Sequence, residues 1–470
     1  MEYAALHCHS FYSLLDGTMS PDDVAGAAHA SGMTAAALVD RDTLAGAVQF
    51  YKKATALGLH AVIGSEVTLP DKSTLALLVE NARGYRNLCR LITAGANDAT
   101  LGEYSEGLVC LAGPRSGVGR AIQKNESPEP FLKKLEGWYG RNLALEIAPH
   151  NDDDLRLARL FAELSRKRRI PLATAADTHY LSPEDRLRYD ILQSMRTLTL
   201  LNQRHEEKLP AGRHHWHTQE EMARYFGALP QAMANTARIA ERCQFDFELG
   251  DIHFPKFPCE DARALLRAKV KAGVERRYGL EPEARVWERL EREMGIIEEV
   301  GYAEYFLVFA DIVEWCGRQG IWTLARGSAA GSLVCYLLGI SNVCPFRFGL
   351  CFERFLNRER MQFAKLADID LDLPWDRRDE VIQYVFERYG REHVAMIGAV
   401  HTFQGRSAVA EIAKVYGIPE REARRFTEHL PWHRGDAEAA VRETPECRNL
   451  PVNEEPYKTV LQMAGSLDGI

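Results

Sequence analysis

The sequence has 470 residues, 46% of them apolar and 26% charged, with a formal net charge of −8. That length and apolar share predict two or three domains with cores of their own. The acidic balance counts against a simple nucleic-acid-binding module, which draws affinity from basic residues set against phosphates.

No apolar run approaches the roughly 18–20 residues of a membrane span, and Met1 leads straight into a strand-like segment with no secretory signal, so a cytoplasmic protein without membrane contact is expected. Ten cysteines without a CxxC pair read as reduced thiols. In residues 3–9, His7 and His9 stand two apart and share one face of a predicted strand. Short apolar runs follow at 37–40, 61–66, 75–80, 108–112, 143–147 and 171–180, with helix-like stretches such as 21–31 and 152–168 between several of them. The alternation predicts an α/β barrel with parallel strands. Several runs end in metal-capable residues, where such barrels keep their sites: His7, His9, Asp16, Asp40, Glu66, His150, Asp177 and His179. A lone histidine at a strand end is more often structural than a ligand, but the pairs His7/His9 and Asp177/His179 stand out from that background. The tract His214-His215-Trp216-His217 reads as loop, because residues 218–221 have capping-box spacing and open a helix.

Further on, an apolar run at 321–325 meets a turn of small residues, Arg326-Gly327-Ser328-Ala329-Ala330-Gly331-Ser332, and an apolar helix-like stretch at 332–340. Such a turn lets backbone approach a phosphate, which a helix N-terminus then favours; a tight strand-to-helix turn packed for its own sake gives the same pattern. Next comes Ala367-Asp368-Ile369-Asp370-Leu371-Asp372-Leu373. Alternation sets the three carboxylates on one face and the apolar residues on the other. Crowded carboxylates suit Mg²⁺ or Mn²⁺, and two such ions serve in-line phosphoryl displacement; an edge strand with a solvated acidic face is the plainer reading. Arg354, Arg358, Arg360 and Lys365 before this strand, and Arg377, Arg378, Arg388 and Arg391 after it, form basic strips that acidic neighbours can pair on solvated faces. Residues 376–389 read as an amphipathic helix.

The stretches GYAEYFLVFADIVEW (from Gly301), ARGSAAGSL (from Ala325), FERFLNRER (from Phe352), ADIDLDL (from Ala367) and RRDEVIQYVFERYG (from Arg377) together resemble the palm of bacterial C-family DNA polymerases, the α subunit of DNA polymerase III and its error-prone relatives. The resemblance implies metal binding and catalysis by Asp370 and Asp372, and a triphosphate seat at Gly327 and Ser328 beside Arg326. Ala367 and Leu373 replace the Pro and Phe usual in that motif. The N-terminal pattern resembles the polymerase and histidinol phosphatase (PHP) domain, which precedes the palm in the same proteins and would hold Zn²⁺ or Mn²⁺. Here it departs from the full pattern. Arg41 stands where His is usual; with the register set by Gly84-Tyr85-Arg86-Asn87-Leu88, Thr74 replaces a second His and Pro114 a Cys. A permanent charge at Arg41 opposes a second cation, so a weakened site is expected.

The organisation expected is a PHP-type distorted α/β barrel over 1–215, a helical connection and nucleotidyltransferase-like mixed α+β palm over 216–405, and the start of a helical thumb over 406–470. The resemblance implies a DNA-directed DNA polymerase acting on primer-template DNA and deoxynucleoside triphosphates, with a sliding clamp and other replisome or repair subunits as partners. It also implies a third carboxylate and fingers further downstream, so this chain is expected to be an N-terminal piece that cannot polymerise alone. Two alternatives stay open: a phosphoesterase or 3′–5′ exonuclease working through the barrel, or a non-catalytic fragment.

Overall fold

In the computed structural model, the described residues are 3–250, 253–357, 367–428, 430, 437–447 and 450–470. They form two compact units, Met1–Phe247 together with Val400–Ile470, and Glu248–Ala399. The sequence reading put its divisions near 215 and 405. Helices Gln219–Phe226 and Pro230–Arg242 bury Met222, Phe226 and Met233 against the barrel core, and so lie in the first unit.

The first unit is built on a six-stranded sheet, β1 (Ala35–Arg41), β2 (His60–Thr68), β3 (Thr74–Val79), β4 (Leu108–Ala112), β5 (Leu143–Ile147) and β6 (Leu172–Thr174), in that spatial order. Residues 5–9 bridge its two edges: Ala5 pairs with Ala36 and Cys8 with Thr178, both parallel, which curls the sheet into a ring. One expectation is corrected here. β3 runs antiparallel to both β2 and β4, so the barrel is mixed. The reason is local: residues 69–73 form a short connection between β2 and β3, too short for the crossover that parallel neighbours require.

Residue size follows the pleat. Ala35, Ala37, Val39, Val62, Ala76, Leu78, Val109, Leu111, Ala144 and Ala173 form one cluster with Ile239, Ala240 and Cys243 of helix Pro230–Arg242. Their strand neighbours, among them Leu38, Ile63, Leu77, Cys110 and Leu145, pack in a larger core with Phe50, Leu88 and Phe161 from the surrounding helices. Both faces are buried, so the strands read as nearly continuous apolar runs. The C-terminal helices Gly405–Val415, Glu420–Thr427 and Tyr457–Ser466 share a third core with Ile191, Leu192 and Met195 of helix Arg186–Arg196.

The second unit has a helical core around helices Ala262–Tyr278, Ala284–Glu299 and Ala303–Arg318. Its sheet is a two-stranded antiparallel ribbon of β7 (Leu324–Arg326) and β8 (Asp370–Asp372). Buried Ala325 and Ile369 tie the ribbon to that core, while Leu371 packs with Ile312, Cys316 and Val381. Val381 belongs to helix Arg378–Tyr389, the amphipathic helix expected from the sequence.

Candidate functional site

The barrel cluster assembles at the C-terminal ends of its parallel strands, with Arg41 ending β1, Glu66 late in β2, Arg115 after β4, His150 after β5 and Asp177 after β6. The Nδ1 atom of His7 lies 2.8 Å from Glu146 Oε1, and that of His9 lies 3.0 Å from Ser13 Oγ. These contacts turn both Nε2 atoms toward the same two carboxylates. His7 Nε2 is 3.9 Å from Glu66 Oε1 and 3.7 Å from Asp177 Oδ1; His9 Nε2 is 4.0 Å from Glu66 Oε2 and 3.2 Å from Asp177 Oδ1. Ligand atoms about 2.0–2.1 Å from one tetrahedral ion stand roughly 3.3–3.4 Å apart. The spacing therefore fits one divalent cation, and the buried His7 Nε2 has no hydrogen-bond partner among the described residues. Histidines held through the opposite ring nitrogen are a usual outer-shell arrangement for metal ligands. Asp177 adopts φ of 41°, a strained conformation of the kind that collects at functional sites.

Guanidinium groups also hold these same two carboxylates, and Asp16 beside them. Arg41 meets Asp16 and lies 3.0 Å from Glu66 Oε2; Arg115 lies 2.6 Å from Glu66 Oε1 and 3.1 Å from Asp177 Oδ2. Burial pushes Glu66 upward, but Arg115 and Arg41 outweigh it and hold the carboxyl well below its usual range. Asp177 is depressed in the same way, with Arg115 again the chief counter-charge.

Asp16 and Asp40 are placed differently, whereas His179 and His150 fall in two further groups able to hold a metal ion, His9/Asp177/His179 and His150/Asp177/His214. Asp16 takes a hydrogen bond from Tyr189 at 2.8 Å besides meeting Arg41. Asp40 accepts from Ser10 N–H, Ser10 Oγ and Ser13 Oγ at 2.6–2.7 Å, which uses its carboxylate to pin the loop after the first strand-like segment. His179 stacks on His9 at 4.3 Å and lies 3.2 Å from Asp177 Oδ1. His150 contacts Ala176 O at 2.6 Å and Asp154 at 3.2 Å.

Three members escaped the sequence reading. Glu146 sits inside an apolar strand, and Arg115 follows an ordinary glycine-proline turn. His214, in a tract whose sequence reads as loop, stacks on His150 at 3.8 Å, buried, with neither ring nitrogen hydrogen-bonded among the described residues. The Thr218–Glu221 capping box is present as expected, so the helix start and the buried histidine coexist. A cavity of about 680 Å³ opens here, lined in part by Arg41, Thr74 and Pro114, the three departures noted in the sequence.

The palm residues meet through the ribbon. Arg326 pairs with Asp370 and Leu324 with Asp372, and Arg326 Nε lies 2.8 Å from Asp372 Oδ2. Gly327 has φ of +69°, and a Cβ there would lie 3.9 Å from Asp370 Oδ2, so the glycine turn and the acid strand are immediate neighbours. Arg326, Gly327, Ser328 and Asp370 are exposed. Asp368 precedes the three-residue strand rather than extending its acidic face.

A second correction concerns the phosphate cradle. The turn is a 3₁₀ segment, Gly327–Gly331, and the following helix, Leu333–Leu338, has only six residues. Its first amides are already taken: Val334 N–H donates to buried Glu293 and Cys335 N–H to Ser332 Oγ. The helix N-terminus is therefore not free for a ligand, which leaves the exposed Gly327–Ser328 backbone.

Of the basic strips, Arg377 pairs with Glu380, Arg378 with Asp379 and Arg388 with Asp311. Arg358, Arg360 and Lys365 lie outside the described residues.

The profile of the family described as "Bacterial DNA polymerase III alpha NTPase domain" matches residues 264–470, and the PHP domain profile matches residues 5–150. The chain thus carries a PHP domain followed by a region of the bacterial DNA polymerase III α type. It is 34% identical to an error-prone DNA polymerase of Symbiobacterium thermophilum over 99% of this chain and 46% of that protein. An error-prone DNA polymerase of Pseudomonas aeruginosa is 36% identical over 89% of the chain and 41% of its own length. The DNA polymerase III subunit alpha of Thermus aquaticus is 30% identical over 100% of the chain and 46% of its own length. The chain thus spans less than half the length of these relatives. No described helix is long and apolar enough to cross a membrane.

Proposed function

We propose that the chain is the barrel and palm portion of a DNA-directed DNA polymerase of the α type, which extends a primer on a DNA template in the cytoplasm. The observation that carries this reading is the pairing of β7 with β8, which sets Asp370 and Asp372 beside Gly327 and Arg326. The exposed Asp370 and half-exposed Asp372 carboxylates suit Mg²⁺ or Mn²⁺, which when bound would neutralise charge on the reacting phosphate oxygens. Asp370 and Asp372 would hold those ions in place. Gly327 and Ser328 offer backbone that a triphosphate can approach closely, and Arg326 is a cation within reach of both acid and phosphate. The primer 3′-hydroxyl oxygen attacks the α-phosphorus, and the bond to the β-phosphate breaks to release pyrophosphate. A sliding clamp and other replisome or repair subunits are the partners the family resemblance implies.

For the barrel we propose one Zn²⁺ or Mn²⁺ on His7, His9, Glu66 and Asp177. Arg41 and Arg115 argue against phosphoester or 3′–5′ exonuclease hydrolysis there, because their two positive charges already offset much of Asp16, Glu66 and Asp177 and leave too little negative charge for more than one cation.

The test is template-directed incorporation with Mg²⁺ by a protein of the full length of its relatives, compared with its Asp370→Asn/Asp372→Asn form. Incorporation reduced to background in the double variant is the expected result. Undiminished incorporation by a folded double variant would sink the assignment.

A further inference from the structure

Glu293, on helix Ala284–Glu299, is fully buried and charged by composition. Burying a carboxylate is costly unless partners satisfy it. Its Oε2 accepts from Ser332 Oγ at 3.0 Å and from Val334 N–H at 3.1 Å. Its Oε1 accepts from Arg289 Nε at 2.9 Å, one helical turn earlier. Arg289 in turn donates through Nη2 to Gly331 O at 2.6 Å. One ion pair therefore grips Gly331, Ser332 and Val334, the residues that end the Gly327–Gly331 turn and begin the next helix.

Close packing fixes the same point from the other side. A Cβ on Gly331 would lie 2.6 Å from Cys351 O, so the backbone cannot shift toward that wall. Gly327, at the start of the turn, faces Asp370. Only the five-residue 3₁₀ segment Gly327–Gly331 separates the two fixed points.

We infer that Glu293, with Arg289, is a positioning residue that sets where the Gly327–Ser328 backbone stands relative to Asp370 and Asp372. The inference rests on the nucleotidyl-transfer reading for its consequence, but its geometry stands without it. Glu293 is wholly buried and acts through the turn, not on the substrate. It substitutes for a ligand at the helix N-terminus, fixing the turn so that the exposed glycine and serine alone face the nucleotide.

The test compares wild type with Glu293→Gln and, as a packing control, Leu290→Ala, whose side chain is buried in the core from the same helix. An amide cannot accept from both Arg289 and the Ser332–Val334 pair. Hydrogen exchange at the Val334 amide is expected to quicken by about tenfold or more in Glu293→Gln, as loss of a buried partner implies. Affinity for a fluorescent dATP analogue with Mg²⁺ is expected to fall by about tenfold in that variant. Leu290→Ala, even where it lowers the melting temperature more, should leave both within about twofold, since it removes packing and no hydrogen bond. If Glu293→Gln does not fold, Ser332→Ala removes one donor, keeps the ion pair, and should shift both readouts in the same direction. Unchanged exchange at Val334 overturns the inference. So does nucleotide affinity that falls in both variants in proportion to lost stability. These variants are made in a protein of the full length of its relatives; if that wild type fails to bind the nucleotide at all, the transfer reading fails, while exchange at Val334 still decides the clamp.

Discussion

Arg41 and Arg115 are the residues on which the barrel cluster turns. Each touches carboxylates that are almost wholly buried, so removing either leaves a buried charge without its partner, at a cost of about 3–5 kcal/mol. Urea denaturation of Arg41→Ala and Arg115→Ala should show losses of that order in metal-free buffer. A change under about 0.5 kcal/mol, the range of ordinary surface substitutions, would contradict the role given to them.

The histidines supply a pH signature in the presence of chelator. Burial, reinforced by His179, lowers His9 to about 4. The unfolded chain then takes up a proton that the folded one refuses, so stability is lost as pH falls from about 6.5 toward 4. Burial also pushes His7 down, but Glu146 and Asp177 outweigh it and raise this histidine to about 9. Its contribution is full below about 6.5 and is lost as pH rises through 9. Stability of the first unit should therefore peak near neutrality, with the acid limb flattened in His9→Asn and the alkaline limb in His7→Gln. An alkaline limb that survives His7→Gln would show another group to be responsible.

At the level of elements, β8 separates chemistry from packing. Ile369, just before it, is buried, whereas Asp370 is exposed and Asp372 half-exposed. Ile369→Ala should cost about 2–5 kcal/mol, while Asp370→Asn with Asp372→Asn should shift the melting temperature of the second unit by little. A large loss in the carboxylate variant would mean that the acids hold the fold.

This same contrast explains what the sequence reveals and what it hides. Period-two alternation exposed β8, and strand ends exposed His7, His9, Glu66, Asp177 and His179. The reversal of β3 was hidden because strands buried on both faces look alike in either direction. Glu146 was hidden inside an apolar run, and His214 by a nearby capping signal that explained the local sequence well. Arg115 and Glu293 act across many residues of chain, a relation that no local spacing encodes. The phosphate cradle was misjudged for the same reason: Glu293 reaches the helix N-terminus from 39 residues away.

On the scale of the molecule, the first unit is discontinuous, because residues 400–470 return to it after the second unit is complete. Their helices cover Ile191, Leu192 and Met195. Ending the chain at 399 should uncover that apolar face, lower the melting temperature of the barrel and raise binding of a hydrophobic dye. An unaltered barrel would show that the returning helices only rest on it.

That discontinuity also orders events during synthesis. The barrel is made while Glu248–Ala399 is still to come, and at about 5–20 residues per second that interval lasts roughly eight to thirty seconds. Throughout it, the helices that cover Ile191, Leu192 and Met195 in the finished first unit are not yet made. A nascent chain in this state offers chaperones an apolar patch that the finished one has covered, so a pause in translation within 248–399 lengthens its exposure even though no residue of the patch is encoded there.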